Sequence, residues 1–242
     1  MTTYLQDRET DSFNKLCSIV QDLKITAPII FDVGANIGQS ITLFRKAFSQ
    51  STIHSFEPNP ETFITLEKNW GHDKAIFLHP KALNSKTGTV PFFVTNVSEA
   101  SSFLLPHPKL IKLSSGNKYD SKKIEVEGII LDQFCMENGI AAIDVLKLDV
   151  QGAELEVLKG AERLLGLEAV SLLYVEMNFA ETYSNQVVFE DFLVFCVRYG
   201  YKLWDISPFL YTRTGRLWYA NTIFLSNKAM AAVETNLEKS GS

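Results

Sequence analysis

The sequence predicts an α/β fold: a mostly parallel sheet flanked by helices, with an antiparallel terminal hairpin and an insertion after the third strand. Three observations predict it. Short apolar runs alternate with helical periodicity between residues 28 and 79, the pattern of successive βα units. That rhythm breaks between about 80 and 128 and then resumes. Two apolar runs, Tyr201–Ile206 and Trp218–Leu225, close the pattern and are joined through the turn signal Thr214-Gly215.

Taken in order, residues 12–23 put Phe13, Leu16, Val20 and Leu23 on one stripe, a lead-in helix within the segment 1–27. Pro28-Ile-Ile-Phe-Asp-Val-Gly34 is a continuous apolar run ending in a turn, which reads as a buried strand. A helix over about 38–48, the strand 52–56, a helix over about 60–70 and the strand 75–79 follow. The segment 84–128 contains the strand-like pieces 89–94 and 123–127 around a Ser/Lys/Pro-rich stretch, and is expected to cap the carboxyl edge of the sheet. Beyond it come a helix at 131–138, the strand 143–148, one helix at 153–165, the strand 170–175 and a helix at 189–199. Residues 228–242 read as a frayed tail, and 1–242 as a single domain.

Composition narrows the function. A chain of 242 residues, 46% hydrophobic, can bury its own core without cross-links. Its three cysteines, Cys17, Cys135 and Cys196, have neither paired nor metal-ligand spacing, so a reducing, cytoplasmic setting is expected. The polar N-terminus shows no signal peptide, and no apolar run of roughly 18–20 residues could span a membrane. A net charge of -5 argues against nucleic acid as the main partner. Lys109, Lys112, Lys118, Lys122 and Lys123 gather in one polar stretch, which reads as a solvated loop.

The sharpest signal is Phe31-Asp-Val-Gly-Ala-Asn-Ile-Gly-Gln-Ser40, where a strand hands over to a helix. Gly34 permits the turn, and Gly38 opens a helix whose free N–H groups face the crevice in which open α/β sheets bind ligands. A dinucleotide fingerprint would place glycines where Asn36 and Gln39 stand. A cofactor bearing an amino acid tolerates those side chains, and Asp32 could hold its ammonium. Glu57, in Phe56-Glu-Pro-Asn-Pro60, ends the second strand, where a carboxylate accepts the two hydroxyls of a ribose. This pairing reads as a nucleoside site and is shared with nicotinamide oxidoreductases, the competing enzyme class. A non-catalytic nucleoside-binding domain is the other alternative.

These two motifs, with Ala82-Leu83, Ser101-Ser102-Phe103 and Leu146-Lys-Leu-Asp-Val-Gln-Gly-Ala-Glu-Leu-Glu-Val-Leu-Lys-Gly160, resemble the FkbM family of methyltransferases in residues, order and spacing. The resemblance covers about 28–160. It implies a Rossmann-like, seven-stranded class I methyltransferase fold, S-adenosylmethionine as cofactor, and O-methylation of a hydroxyl on a sugar or natural product. It also implies that Asp32, Gly34, Ala35, Asn36 and Gly38 line the methionine part, Glu57 the ribose, and Asn59 and Ala82 the adenine side. Ser40, Pro58 and Asp149 complete the expected cofactor set. Gln151 departs from many members, which carry Glu there. The expected partner is a small-molecule hydroxyl acceptor, with oligomeric state left open.

A third cluster, Lys147-Leu-Asp-Val-Gln-Gly-Ala-Glu154, places Lys147 and Asp149 on one strand face at the carboxyl edge. Glu176 and Asn178 end the next strand. If the strands are neighbours, either Asp149 or Glu176 serves as general base, or Asp149, Glu176 and Asn178 surround Mg²⁺. The plainer alternative is a Lys147–Glu176 ion pair with Asp149 capping the following helix. His107 and His79 are further candidate bases, with simple polar contacts as the plainer reading, and His54 reads as a core residue. Tyr211 and Trp218 are candidates for the acceptor end of the cleft, with acceptor selection expected from 84–128 and 178–186.

Overall fold

The computed structural model describes residues 2–96, 101–105, 107, 121–212 and 214–240, with the side chains of 11–239 among them. Helix α1 (Thr2–Asp22) leads to β1 (Ile29–Val33), α2 (Gln39–Ala47), β2 (Thr52–Phe56), α3 (Pro60–Trp70) and β3 (Ile76–His79). Three strands follow, β4 (Ala82–Leu83), β5 (Gly88–Thr95) and β6 (Ser121–Ile129). The remainder is α4 (Leu131–Glu137), β7 (Ile143–Leu148), α5 (Glu154–Lys159), α6 (Glu162–Gly166), β8 (Val170–Asn178), α7 (Phe189–Arg198), β9 (Tyr201–Ile206), β10 (Leu210–Tyr211), β11 (Leu217–Ser226) and α8 (Asn227–Ser240).

The main sheet runs β10-β11-β8-β7-β1-β2-β3, with β9 also pairing β11. Strands β1, β2, β3, β7 and β8 are mutually parallel, whereas β11 is antiparallel to both β8 and β9. This is the Rossmann-like order that the resemblance implies. The expected terminal hairpin is therefore present in the β9–β11 pairing, but β11 lies inside the sheet, and the two-residue β10 adds to it. Chain direction diverges at β1, whose neighbours are β2 and the much later β7, so a crevice opens at their carboxyl ends.

Alternation along the strands feeds two cores. Phe31, Phe56, Leu146, Leu148 and Leu173 face α4 to α7, while Ile30, Ile53, Val145, Leu172 and Ile223 face α1, α2, α3 and α8. Both faces being covered explains why the strands read as continuous apolar runs.

Four expectations need revision. The helix expected at 153–165 is two helices. Gly160 lies where a Cβ would stand 2.3 Å from the Asn84 carbonyl oxygen, and the Asp132 carboxylate takes the amides of Arg163 (2.7 Å) and Leu164 (3.0 Å), so a new helix starts there. The tail expected to fray is α8: Ala229 and Val233 are buried in the core against α1, and Ser226 Oγ accepts from Ala229 N. Tertiary burial supplies what its modest helical pattern does not. The inserted sheet, ordered β4-β6-β5, starts at Ala82 rather than 84, because Ala82 and Leu83 pair with Gly128 and Ile129. Finally, β8 continues three residues past the expected end, to Asn178. Lys122 and Lys123 lie exposed in β6, while Lys109, Lys112 and Lys118 fall outside the described residues. No helix among the described residues is long and apolar enough to cross a membrane.

Candidate active site

A cavity of about 320 Å³ opens at the carboxyl ends of β1, β2 and β7. Its first wall is the turn after β1. Gly34 has φ +78°, and a Cβ there would stand 1.9 Å from the Asp149 carbonyl oxygen, so only glycine lets β1 and β7 approach this closely. Gly34 and Ala35 both donate their amides to Phe56 O at 3.0 Å, tying the turn to β2.

Glu57 completes this joint. One carboxylate oxygen accepts the Asn36 amide (3.0 Å) and the other the Asn59 amide (2.8 Å). Burial pushes its pKa up to about 7, against the two amides, which favour the ionised form. Each oxygen keeps lone-pair capacity beyond its one amide, and Glu57 lies on the cavity wall. The arrangement can accept two hydroxyls side by side.

Asp32 and Lys147 are register partners across β1 and β7. Lys147 Nζ lies 3.0 Å from Asp32 Oδ1, donates to Gly34 O at 3.1 Å and stands 3.7 Å from Asp149 Oδ2. Burial would lower the pKa of this ammonium, but Asp32 and Asp149 outweigh it and hold the group charged. Ser40 Oγ donates to Asp32 Oδ2 at 2.6 Å. The Asp32 carboxylate is thus occupied from both sides, fully buried and absent from the wall, which corrects its expected direct contact with an ammonium.

Of the other expected cofactor residues, Gly34, Ala35, Asn36, Ser40, Glu57, Pro58, Ala82 and Asp149 line the cavity. Gly38 and Asn59 do not. Gly38 packs beneath Trp70, where a Cβ would meet the indole at 2.4 Å. The Asn59 side chain caps α3, accepting from Glu61 N (3.2 Å) and donating to Thr62 Oγ1 (2.8 Å).

The acidic end of the cavity is organised by Gln151. Its Nε2 donates to Asp149 Oδ1 (2.7 Å) and to Glu176 Oε1 (2.9 Å), and its Oε1 accepts the Tyr183 hydroxyl (2.9 Å). Asp149 and Glu176 are indeed brought together on the wall. Both halves of the plainer alternative fail: Lys147 pairs with Asp32 rather than Glu176, and Glu154, not Asp149, takes the Gly152 amide at 3.0 Å.

The Mg²⁺ set does not fit. Asn178 lies on a different cavity, and the Gln151 amide nitrogen holds the place between Asp149 and Glu176 that a shared cation would need. Among the described residues no three His, Cys, Asp or Glu side chains cluster as metal ligands. His107 also lines the other cavity, so it is not a base here. His79 and His54 sit in an aromatic stack with Phe31, Phe56, Phe77 and Phe134, where burial brings both pKa values down to about 4. Neither Tyr211 nor Trp218 lines the cavity.

Sequence reasoning missed several wall residues. Phe13 arrives from α1, Tyr174 and Asn221 from β8 and β11, Lys81 from the link after β3, and Phe92, Ser101 and Phe103 from the inserted segment. Phe13 carried only a core signal, as part of a helical stripe. The inserted segment was expected over the carboxyl edge of the sheet, and these three of its residues line the cavity.

Comparison with known proteins agrees with this geometry. The family model described as the methyltransferase FkbM domain matches residues 32–203. The 2-O-methyltransferase NoeI of Sinorhizobium fredii is 26% identical over 186 residues, covering 74% of this chain and 75% of NoeI. The hexuronic acid methyltransferase AglP of Haloferax volcanii is 28% identical over 151 residues, covering 62% of this chain and 56% of AglP. Among solved structures, magnesium protoporphyrin IX methyltransferase from Synechocystis, with bound S-adenosylmethionine, superposes with a TM-score of 0.50 at 11% identity, covering 90% of this chain and 80% of that one. At that identity the superposition speaks for the fold alone. With the family match spanning most of the sequence and the site built on its motifs, the chain belongs to the FkbM family of methyltransferases.

Proposed function

We propose that this protein transfers a methyl group from S-adenosylmethionine to a hydroxyl of a sugar or natural-product small molecule. One observation carries the proposal: the Glu57 carboxylate, pinned by the Asn36 and Asn59 amides, stands on the wall of the same cavity as the Gly34 turn. A buried carboxylate with two oxygens aimed at one edge suits a vicinal diol. The cavity is of ligand size, at the lower end of the roughly 300–1,000 Å³ usual for small-molecule sites. NoeI and AglP, a 2-O-methyltransferase and a hexuronic acid methyltransferase, support a sugar hydroxyl as acceptor. The free cysteines support a reducing, cytoplasmic location.

In this reading Glu57 binds the ribose, with Pro58 and Ala82 against the base, and Ala35, Asn36 and Ser40 line the amino-acid end. When bound, the cofactor supplies an electrophilic methyl on a sulfonium. The chain's own task is geometric: to hold an acceptor oxygen in line at about 3 Å and keep water out. Asp149 and Glu176, steadied by one amide, each retain lone pairs for the acceptor's hydroxyl, and one of them takes its proton. Lys147, committed to Asp32 and to Gly34 O, holds the β1 turn against β7.

Calorimetry with S-adenosylhomocysteine and with NADH separates this reading from nicotinamide chemistry, and labelled S-adenosylmethionine with a panel of hydroxyl acceptors then tests transfer. S-adenosylhomocysteine should bind, and Glu57→Ala should weaken it by about 1–3 kcal/mol through lost charged hydrogen bonds. Binding of NADH alone, or unchanged affinity in the variant, overturns the assignment.

A further inference from the structure

A second cavity, of about 820 Å³, lies one strand over on the same sheet edge. We propose that it is a glycosyl subsite for the sugar unit next to the one methylated, so that the acceptor is a saccharide of at least two units. The proposal rests on the function proposed above and narrows its substrate class.

The cavity lies at the end of β8, where Asn178 is 6% exposed and its amide nitrogen is buried without a hydrogen-bond partner. An unmet buried donor is costly to leave unmade, and a small rotation of the Asn178 amide toward the cavity would bring it to a ligand oxygen. Around it stand Phe179 and Phe189, their rings 5.2 Å apart, which offer an apolar face to the C–H side of a pyranose. Glu181 and Glu190 add acceptors, and Arg216 adds donors. Acceptors and donors mixed around an aromatic pair suit a polyol, whose hydroxyls do both. Two carboxylates in the ring disfavour an anion.

The rim is preorganised. Gln186 Oε1 accepts from Thr182 N (2.8 Å), Thr182 Oγ1 (2.9 Å) and Tyr183 N (2.9 Å), and its Nε2 donates to Ala180 O (2.9 Å) and Asn178 O (3.3 Å). Binding there needs little ordering of the loop. The two cavities share a wall. Tyr183 lines the second and donates its hydroxyl to Gln151, which holds Asp149 and Glu176 in the first. The proposed disaccharide crosses the Tyr183–Gln151 contact, with one unit beside Asn178 and the next at those carboxylates.

Saturation-transfer NMR and calorimetry on the protein loaded with S-adenosylhomocysteine test this, using disaccharides built from hexoses, hexosamines, deoxyhexoses and uronic acids and their component monosaccharides. At least one disaccharide should bind ten times more tightly than either component. Asn178→Leu should remove most of that gain, and Arg216→Ala, at an exposed position that does not threaten folding, should reduce it at least fivefold. Affinity for S-adenosylhomocysteine should stay unchanged in both. No gain for any disaccharide, or a gain that survives both substitutions, overturns the subsite. Failure of the unaltered protein to bind S-adenosylhomocysteine overturns the cofactor reading instead, and the subsite with it.

Discussion

Replacing Gly34 with alanine tests the join between fold and site, because two separate costs arise there. The backbone has φ +78°, which costs an L-residue about 1–2 kcal/mol. The added Cβ would also stand 1.9 Å from Asp149 O and 2.9 Å from its carbonyl carbon, well inside ordinary contact. That neighbour is backbone between two central strands and cannot swing away, so the sheet must open, at an overpacking cost of about 1–3 kcal/mol or more. The sum, about 2–5 kcal/mol, lowers Tm by roughly 10 °C at the usual 2–4 °C per kcal/mol for this size. Gly139→Ala is the matched control: φ is +67° and nothing lies within 4 Å, so only the backbone cost of about 1–2 kcal/mol applies, roughly 4–5 °C. Thermal melts followed by circular dichroism read both. Equal losses in the two variants would refute the close β1–β7 approach as the reason for glycine at position 34.

Two further predictions follow from charges. Glu57, raised to about 7 by burial, is more basic folded than unfolded, so its contribution to stability is full below about pH 4.5 and is lost as pH rises through about 7. A ligand whose hydroxyls donate to the ionised form must therefore release a proton on binding at pH 6 and none at pH 9; calorimetry of S-adenosylhomocysteine in buffers of different ionisation enthalpy measures this, and proton uptake would contradict it. Lys147→Met leaves the fully buried Asp32 without its cation and should cost about 3–5 kcal/mol in urea unfolding at pH 8, much of it restored by adding Asp32→Asn. Wild-type stability in the single variant would show that the pair is not holding the turn.

What the sequence made legible follows from which forces are local. The strands 29–33, 52–56 and 143–148 are short apolar runs bounded by turn residues, and their type and bounds needed no tertiary information. The glycine turn and Glu57 were legible for the same reason, since each ends a strand whose position was already clear. Helix α8 was not, because its weak periodicity becomes stable only through Val233 and Ala229 packing against a helix some 210 residues earlier in the chain. The break between α5 and α6 was hidden likewise, because the residue that caps α6, Asp132, belongs to α4.

Residue 151 shows what a pattern alone does not give at the acidic end. Read against the family, Gln151 is a missing carboxylate. In the structure, Lys147 is committed to Asp32 at 3.0 Å and stands 3.7 Å from Asp149, so it only partly offsets the two acids at the cavity's acidic end. A carboxylate at 151, within 3 Å of both Asp149 and Glu176, would add a third negative charge and drive one of the three to hold a proton. An amide reverses the sign of the contact. Its two N–H groups satisfy one oxygen of each acid, at 2.7 and 2.9 Å, while its own oxygen is met by Tyr183. Both acids are thereby steadied in place by one neutral amide, where a carboxylate at 151 would set three like charges against one another.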